Sequence, residues 1–316
     1  MIPDQHAIQA AHERIRPHIH RTPVLTCSTI DRLAGASLFF KCENFQKIGA
    51  FKIRGGMNAV LSLSPEQQAR GIATHSSGNH AQAIAYAARQ VGAKAYIVMP
   101  DNSPQVKMDA VAGYGAEITL CKPTLEARES TLRDIVERTG AEFVHPFDDY
   151  RVIAGQATCA KELLEDVPDL DVVLAPVGGG GLLSGTALSV HYFRPEAYVV
   201  AGEPEGAADA VLSFRSGRVE KAPYIQTIAD GLQTTLSERT LEIIRLHVRD
   251  ILLVSEADIK AALRLVLERM KIVVEPSAVV PLAAVLKCPE RFAGLRVGIV
   301  LTGGNVDLTK LGEWLV

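Results

Sequence analysis

One lysine in the chain sits where an ammonium is awkward: Lys52, in Gly49-Ala50-Phe51-Lys52-Ile53-Arg54-Gly55-Gly56, lies between bulky apolar residues with glycines on either side. Burying an unpartnered ammonium is costly, so Lys52 either snorkels to solvent from a half-buried helix start or is an amine kept ready to form an imine. A second group is the run Gly178-Gly179-Gly180-Gly181, between Ala175-Pro176-Val177 and Leu182-Leu183-Ser184. Amides without side chains at a helix start form an anion cradle. A Walker loop needs Lys-Ser/Thr after its last glycine, but Gly185 precedes Thr186-Ala187; the third position of a dinucleotide fingerprint falls on Leu183 or Ser184. A monophosphate cradle remains, against the plain alternative of a glycine turn that lets a helix approach a sheet.

Three further segments follow apolar runs. Ser76-Ser77-Gly78-Asn79-His80 gathers more polar and small residues at a helix entrance than capping requires, and suits a carboxylate or a proton-carrying hydroxyl. Thr302-Gly303-Gly304-Asn305 ends a strand in a hydroxyl. A lone threonine there is usually a cap, but beside a phosphate cradle and a reactive lysine a neutral hydroxyl suits a ring nitrogen that must not be fully protonated. Glu203 and Asp209 flank a glycine-bearing loop and could hold a hard cation, although spacing alone reads as a solvated acidic loop.

Parallel α/β architecture would place such segments together. Apolar, β-branched runs at 37–43, 71–76, 95–100, 117–121, 171–177, 197–203, 251–255 and 297–302 read as strands, alternating with helical patterns. The clearest helices are NHAQAIAYAARQVG, LEARESTLRDIVERTG, LLSGTALSVHYF and EADIKAALRLVLERM, the last preceded by Ser255 and Asp258 in a capping-box pattern. In open parallel sheets ligands bind beyond the carboxyl ends of strands, where all these segments fall. A chain of 316 residues, 47% hydrophobic and 5% aromatic, fits one large or two medium α/β domains. A net charge of −3 without a basic stripe excludes a nucleic-acid footprint. Five scattered cysteines without a Cys-x-x-Cys pair, and no long uninterrupted apolar run, point to a cytoplasmic protein without a membrane partner. His12, His18 and His20 lack metal-site spacing and read as part of a solvated amphipathic helix and turn.

Read end to end, RTPVLTCS, FKIRGGMNAV, SSGNHAQA, VIAGQAT, VGGGGLLSG, IADGLQT, EPSAVVPLAAVL and LTGGNVDLT resemble, in order, the fold-type II pyridoxal phosphate enzymes of the serine/threonine dehydratase and serine racemase group. The resemblance implies a two-domain architecture like the tryptophan synthase β subunit, with parallel-rich twisted sheets. Residues 1–70 and 149–316 would form the large domain and 71–148 the small one, closing over substrate, in a homodimer. It implies that Lys52 binds the cofactor as an imine beside Phe51, then serves as the base at the substrate Cα. Asn79 would meet the ring hydroxyl, Gly178 to Gly181 the phosphate, and Thr302 the pyridine nitrogen. Ser76, Ser77, Asn79 and His80 match the substrate carboxylate loop, and Ser77 also the proton carrier on the opposite face. Arg128 and Thr234 match positions near the substrate side chain or the entrance. Glu203, the Ala207 carbonyl and Asp209 match a site for Mg²⁺, Ca²⁺ or Mn²⁺, reversing the reading from spacing. Lys47, Gln82, Lys271 and Asn305 match positions that bind ATP as an activator in animal racemases, whereas Ile48 does not. Ile48 and Ala50 stand where Thr and Ser are frequent, Thr302 replaces Ser or Cys, and Phe147 stands where racemases can have Asn. The absence of residues beyond LTKLGEWLV implies no isoleucine-sensitive regulatory module.

The implied activity is an ammonia-lyase of L-serine or L-threonine giving a 2-oxo acid and ammonia, with serine racemisation as a second outcome. L-threo-3-hydroxyaspartate dehydration is the alternative within the class. A non-catalytic phosphate or nucleotide sensor is the alternative outside it.

Overall fold

The computed structural model describes residues 1–315. Ten strands build two sheets: β1 (Val24–Leu25), β2 (Ser37–Cys42), β3 (Ile72–His75), β4 (Ala95–Pro100), β5 (Glu117–Cys121), β6 (Glu142–Phe143), β7 (Val172–Pro176), β8 (Tyr198–Pro204), β9 (Val248–Val254) and β10 (Arg296–Leu301). The larger sheet runs β1-β2-β10-β7-β8-β9, parallel except that β1 lies antiparallel to β2. The smaller runs β5-β4-β3-β6, all parallel, and is built wholly from the segment expected to form the small domain.

All eight runs singled out above form strands, because helices cover both faces of a parallel sheet and reward continuous apolar, β-branched sequence. β9 begins at Val248 rather than 251. The two-residue strands β1 and β6 are too short to carry a periodic signal. The helices Asn79–Gln90, Leu125–Thr139, Gly181–Phe193 and Glu256–Leu265 match the clearest patterns, and the Ser255–Asp258 capping box is formed. Beyond Leu265 the α-helix gives way to a π-helical turn over Val266–Met270. The amino-terminal helix, Gln5–Ile15, differs from expectation. It buries Ile8, Ala11, His12 and Ile15, and His12 lies 4.0 Å from Glu162. Burial lowers the His12 pKa, because the helix packs on Tyr150–Asp166 instead of standing in solvent.

Among the described residues no helix is long and apolar enough to cross a membrane. The helix Tyr150–Asp166 is buried from Val152 to Leu164, and the helices Lys52–Leu61 and Gly181–Phe193 both pack on it. β2, β10 and β7 are neighbours pointing the same way, so the segments leaving their carboxyl ends converge. Those segments carry Lys52, Thr302 and the four glycines. The ends of β3 and β6 supply Ser76–His80 and Val144–Phe147.

Candidate active site

Lys52 is the first residue of its helix, and the turn before it is tied to the end of β10. Ala50 bridges Gly303, the Phe51 amide donates to the Thr302 carbonyl at 3.0 Å, and the Gly304 amide donates to Gly49 at 2.9 Å. Ile48 adopts φ +60°, a strained conformation for a β-branched residue worth about 1–3 kcal/mol. Asn305 Nδ2 donates to the Ile48 carbonyl at 2.7 Å and helps to hold the turn. The Lys52 ammonium donates to the Pro146 carbonyl at 3.1 Å and sits 5.3 Å from the Phe51 ring centroid. Burial pulls its pKa down from 10.5 to about 8, more than the Glu275 carboxylate raises it, so the amine gives up its proton far more readily than an exposed lysine.

Gly180 caps the next helix with φ +84°, in the left-handed region. A methyl group on Gly179 would lie 2.2 Å from the Phe147 ring, so only glycine fits beneath that side chain. The amides of Gly178, Gly179 and Gly180 donate to no other group among the described residues. Free donors at a helix N-terminus suit a phosphate. The Thr302 hydroxyl, 3% exposed, likewise has no partner. A buried unsatisfied hydroxyl carries a desolvation cost that a ring nitrogen would relieve. Lysine, cradle and hydroxyl together fit pyridoxal phosphate.

Asn79 donates through Nδ2 to both Glu275 oxygens at 3.1 and 3.2 Å, and its Oδ1 accepts from Asn305 Nδ2 at 2.9 Å. Sequence reasoning missed Glu275. Burial, helped by Asp230, raises its pKa to about 7, despite the bonds from Asn79. Its signal was a carboxylate at the head of an otherwise apolar helix, Pro276–Lys287. Ser76 Oγ accepts from the Gly78 amide at 3.2 Å, and Ser77 is half-buried in the same turn. The His80 side chain is turned beneath the turn, donating from Nε2 to the Val144 carbonyl at 3.2 Å, and burial pushes its pKa well below 6.5. His80 therefore offers the open face of the loop its backbone rather than a charged ring.

Thr234 is exposed beside the cradle, its hydroxyl 3.1 Å from where a methyl group on Gly178 would sit. Arg128 lies on the first turn of Leu125–Thr139, where its charge acts on His75 and Cys121. Of the positions matched to ATP binding, Asn305 and Gln82 connect to the site, the latter on the helix headed by Asn79. Lys47 lies 5.8 Å over the Tyr86 ring, and Lys271 has φ +60°.

Glu203 and Asp209 are buried at 1% and 3% exposure, which corrects the solvated-loop reading from spacing. Glu203 accepts from the Ala210 and Val211 amides at 2.6 and 2.9 Å, and Asp209 from Leu236 at 3.1 Å. Burial still raises Glu203 to about 8 and Asp209 to about 6. No cluster of three or more His, Cys, Asp or Glu side chains suited to a metal occurs among the described residues. Two buried carboxylates without a cationic partner have the chemistry to suit one hard cation.

The model for the family described as pyridoxal-phosphate dependent enzyme matches residues 15–303. A β-hydroxyaspartate dehydratase of Paracoccus denitrificans is 52% identical over 310 residues, 98% of each chain. The crystal structure of serine racemase from Dictyostelium discoideum superposes with a TM-score of 0.92 at 49% identity, covering 96% of this chain and 99% of that one. The crystal structure of a T.th. threonine deaminase gives a TM-score of 0.91 at 44% identity, with the same coverage.

Proposed function

The chain belongs to the pyridoxal-phosphate dependent enzyme family, and from that premise we propose that it is a dehydratase of L-serine or L-threonine, releasing a 2-oxo acid and ammonia, that also racemises serine. The observation that carries the proposal is the meeting, at three adjacent strand ends, of a desolvated Lys52, a cradle of free amides and the unpartnered Thr302 hydroxyl. Pyridoxal 5′-phosphate, when bound, supplies an electron sink for the carbanion formed at the substrate Cα. Lys52 Nζ would hold the cofactor aldehyde beside Phe51, and its free amine would serve as the base for the substrate Cα proton. Gly178 to Gly181 would hold the phosphate. Thr302 would offer its hydroxyl as a hydrogen-bond donor to the ring nitrogen without protonating it, and Asn79 would meet the ring hydroxyl. Ser76, Ser77, Asn79 and the backbone of His80 receive the substrate carboxylate. The Ser77 hydroxyl exchanges a proton on the face opposite Lys52, while Arg128 and Thr234 line the side-chain end.

Glu203, the Ala207 carbonyl and Asp209 hold a divalent cation, for which we take Mg²⁺. Residues 71–148 act as the small domain that closes over substrate, and the functional unit is a homodimer. Five free thiols fit a reducing, cytoplasmic setting. Lys47, Gln82, Lys271 and Asn305 carry the finer proposal of ATP activation, which an unchanged rate on adding Mg-ATP removes. The relationship to ammonia-lyases and racemases sets aside the non-catalytic sensor.

One observation favours a second substrate: the 52% identical relative is a β-hydroxyaspartate dehydratase. Incubation with L-serine, D-serine, L-threonine and L-threo-3-hydroxyaspartate, following oxo-acid release and chirality, separates the readings. Purified protein loaded with pyridoxal phosphate is expected to be yellow and bleached by borohydride, and Lys52→Ala to lose that response. A colourless wild type defeats the proposal.

A further inference from the structure

The helix Tyr150–Asp166 touches both halves of the cofactor site without contributing a residue to it. The helix headed by Lys52 approaches at Gly155. A methyl group there would stand 2.5 Å from the Arg54 carbonyl and 2.7 Å from Gly55 Cα, both backbone atoms that cannot swing aside. The helix headed by the glycine cradle approaches at Ala157. A methyl group on Gly185 would stand 2.6 Å from the Ala157 amide and 2.9 Å from the Ile153 carbonyl. Ser189 adds a hydrogen bond from its hydroxyl to the Ala157 carbonyl at 2.7 Å. Both contacts lie within about one turn of Lys52 and of Gly181 along their own helices. They fall two residues apart on the central helix.

The central helix also caps its neighbour. The lysine helix has no side-chain cap of its own, because Phe51 occupies the capping position. The Gln156 side chain fills the role, its Oε1 accepting from the Gly55 amide at 3.1 Å. Gln156 is 1% exposed, and its Nε2 has no partner. Leaving that donor unsatisfied costs about 1–3 kcal/mol, which an apolar residue would avoid. A buried glutamine held at that cost is explained by what its oxygen does for the first turn of the lysine helix.

We propose that Gly155 and Gln156 are positioning residues: the central helix is a spacer that sets the reach of Lys52 from the phosphate cradle, through two backbone-to-backbone contacts and one capping bond. The proposal rests on the reading of Lys52 and the cradle as a pyridoxal phosphate site. If the spacing alone is disturbed, phosphate grip and lysine attachment must separate.

Two variants test it. Gln156→Met removes the acceptor at similar length, and Gly155→Ala forces the two helices apart. Each is loaded with pyridoxal 5′-phosphate and, separately, with pyridoxamine 5′-phosphate, which has the phosphate and ring but no aldehyde. We expect the dissociation constant for pyridoxamine 5′-phosphate to stay within about twofold of wild type, while borohydride fixation at Lys52 slows about tenfold, the scale of a sub-ångström misplacement of a reacting group. The pH midpoint of the visible band should shift with it. A variant whose melting temperature falls while its visible band, pH midpoint and fixation rate match wild type overturns the proposal. So does parallel weakening of both ligands. Should Gly155→Ala fail to fold, Gln156→Met decides alone. A wild type that develops no visible band overturns the functional reading and the spacer with it; a coloured wild type with unaltered variants overturns the spacer only.

Discussion

Lys52 combines two effects that usually exclude each other. It stays close enough to a carboxylate, Glu275, to be tolerated in the fold, yet burial dominates and brings its pKa to about 8. The unfolded lysine keeps its proton up to about 10.5, so between about 8 and 10.5 the folded chain binds fewer protons than the unfolded one. Cofactor-free protein therefore gains stability as pH rises through that window, and its amine becomes nucleophilic earlier than an exposed lysine. The rate of pyridoxal phosphate capture by cofactor-free protein should rise with pH to a midpoint near 8; a midpoint at the ordinary lysine value would contradict the burial. Ser77 separates the two proposed outcomes. Ser77→Ala is expected to lower serine racemisation by about 10²-fold or more while L-serine dehydration falls much less, since only racemisation needs a proton on the far face. Chiral analysis alongside oxo-acid release checks it, and equal losses would remove Ser77 from that role.

At the scale of elements, the turn between β6 and the central helix connects several parts of the site. His145 Nδ1 accepts from the Phe147 and Asp148 amides at 3.3 and 2.9 Å, an arrangement that only the neutral ring can make. The turn so formed presents the Pro146 carbonyl to Lys52 and the Phe147 ring to Gly179, 4.6 Å from the His145 ring centroid. Burial holds His145 at about 4, with Asp148 pulling the other way. Between pH 6.5 and about 4 the unfolded histidine takes a proton that the folded one refuses, so stability falls as pH drops through that window. His145→Gln should flatten this acid limb. Urea midpoints at about pH 7 and about pH 5 measure it, and a slope as steep as wild type would place the loss in His75 and His80 instead.

Over the whole molecule, a buried charge network ties the end of β2 to the lysine helix and to the helix Tyr150–Asp166. Arg54, fully buried, donates to Glu43 and Glu162 at 2.7 to 2.9 Å, and Lys41 pairs with Glu162 at 2.8 Å. Burial alone would raise the Glu162 pKa, but Arg54 and Lys41 outweigh it and hold the carboxyl near 2. Its contribution is present above the ordinary carboxylate value of 4.5 and is lost as pH falls toward 2. Glu162→Gln leaves two cations short of a partner and should cost about 3–5 kcal/mol in urea unfolding at neutral pH. A loss below about 1 kcal/mol would mean that water or a rearranged Glu43 compensates.

The sequence alone determined the chemistry-bearing segments, because glycine runs, polar helix entrances and strand-end hydroxyls depend on neighbours in the chain. Lys52, Gly178 to Gly181 and Thr302 stood out as candidates for that reason, and the central strands were legible because their apolar runs record burial on both faces. What only tertiary structure decided depends on contacts between distant segments. The burial of Glu203, Asp209 and His12, the inward turn of His80, the place of Glu275 against Asn79, and the grip of Gln156 on the lysine helix all join parts of the chain that local pattern cannot relate. Desolvation is set by what packs against a group from elsewhere in the fold, so the residue types announced the reagents while packing fixed their charge and reach.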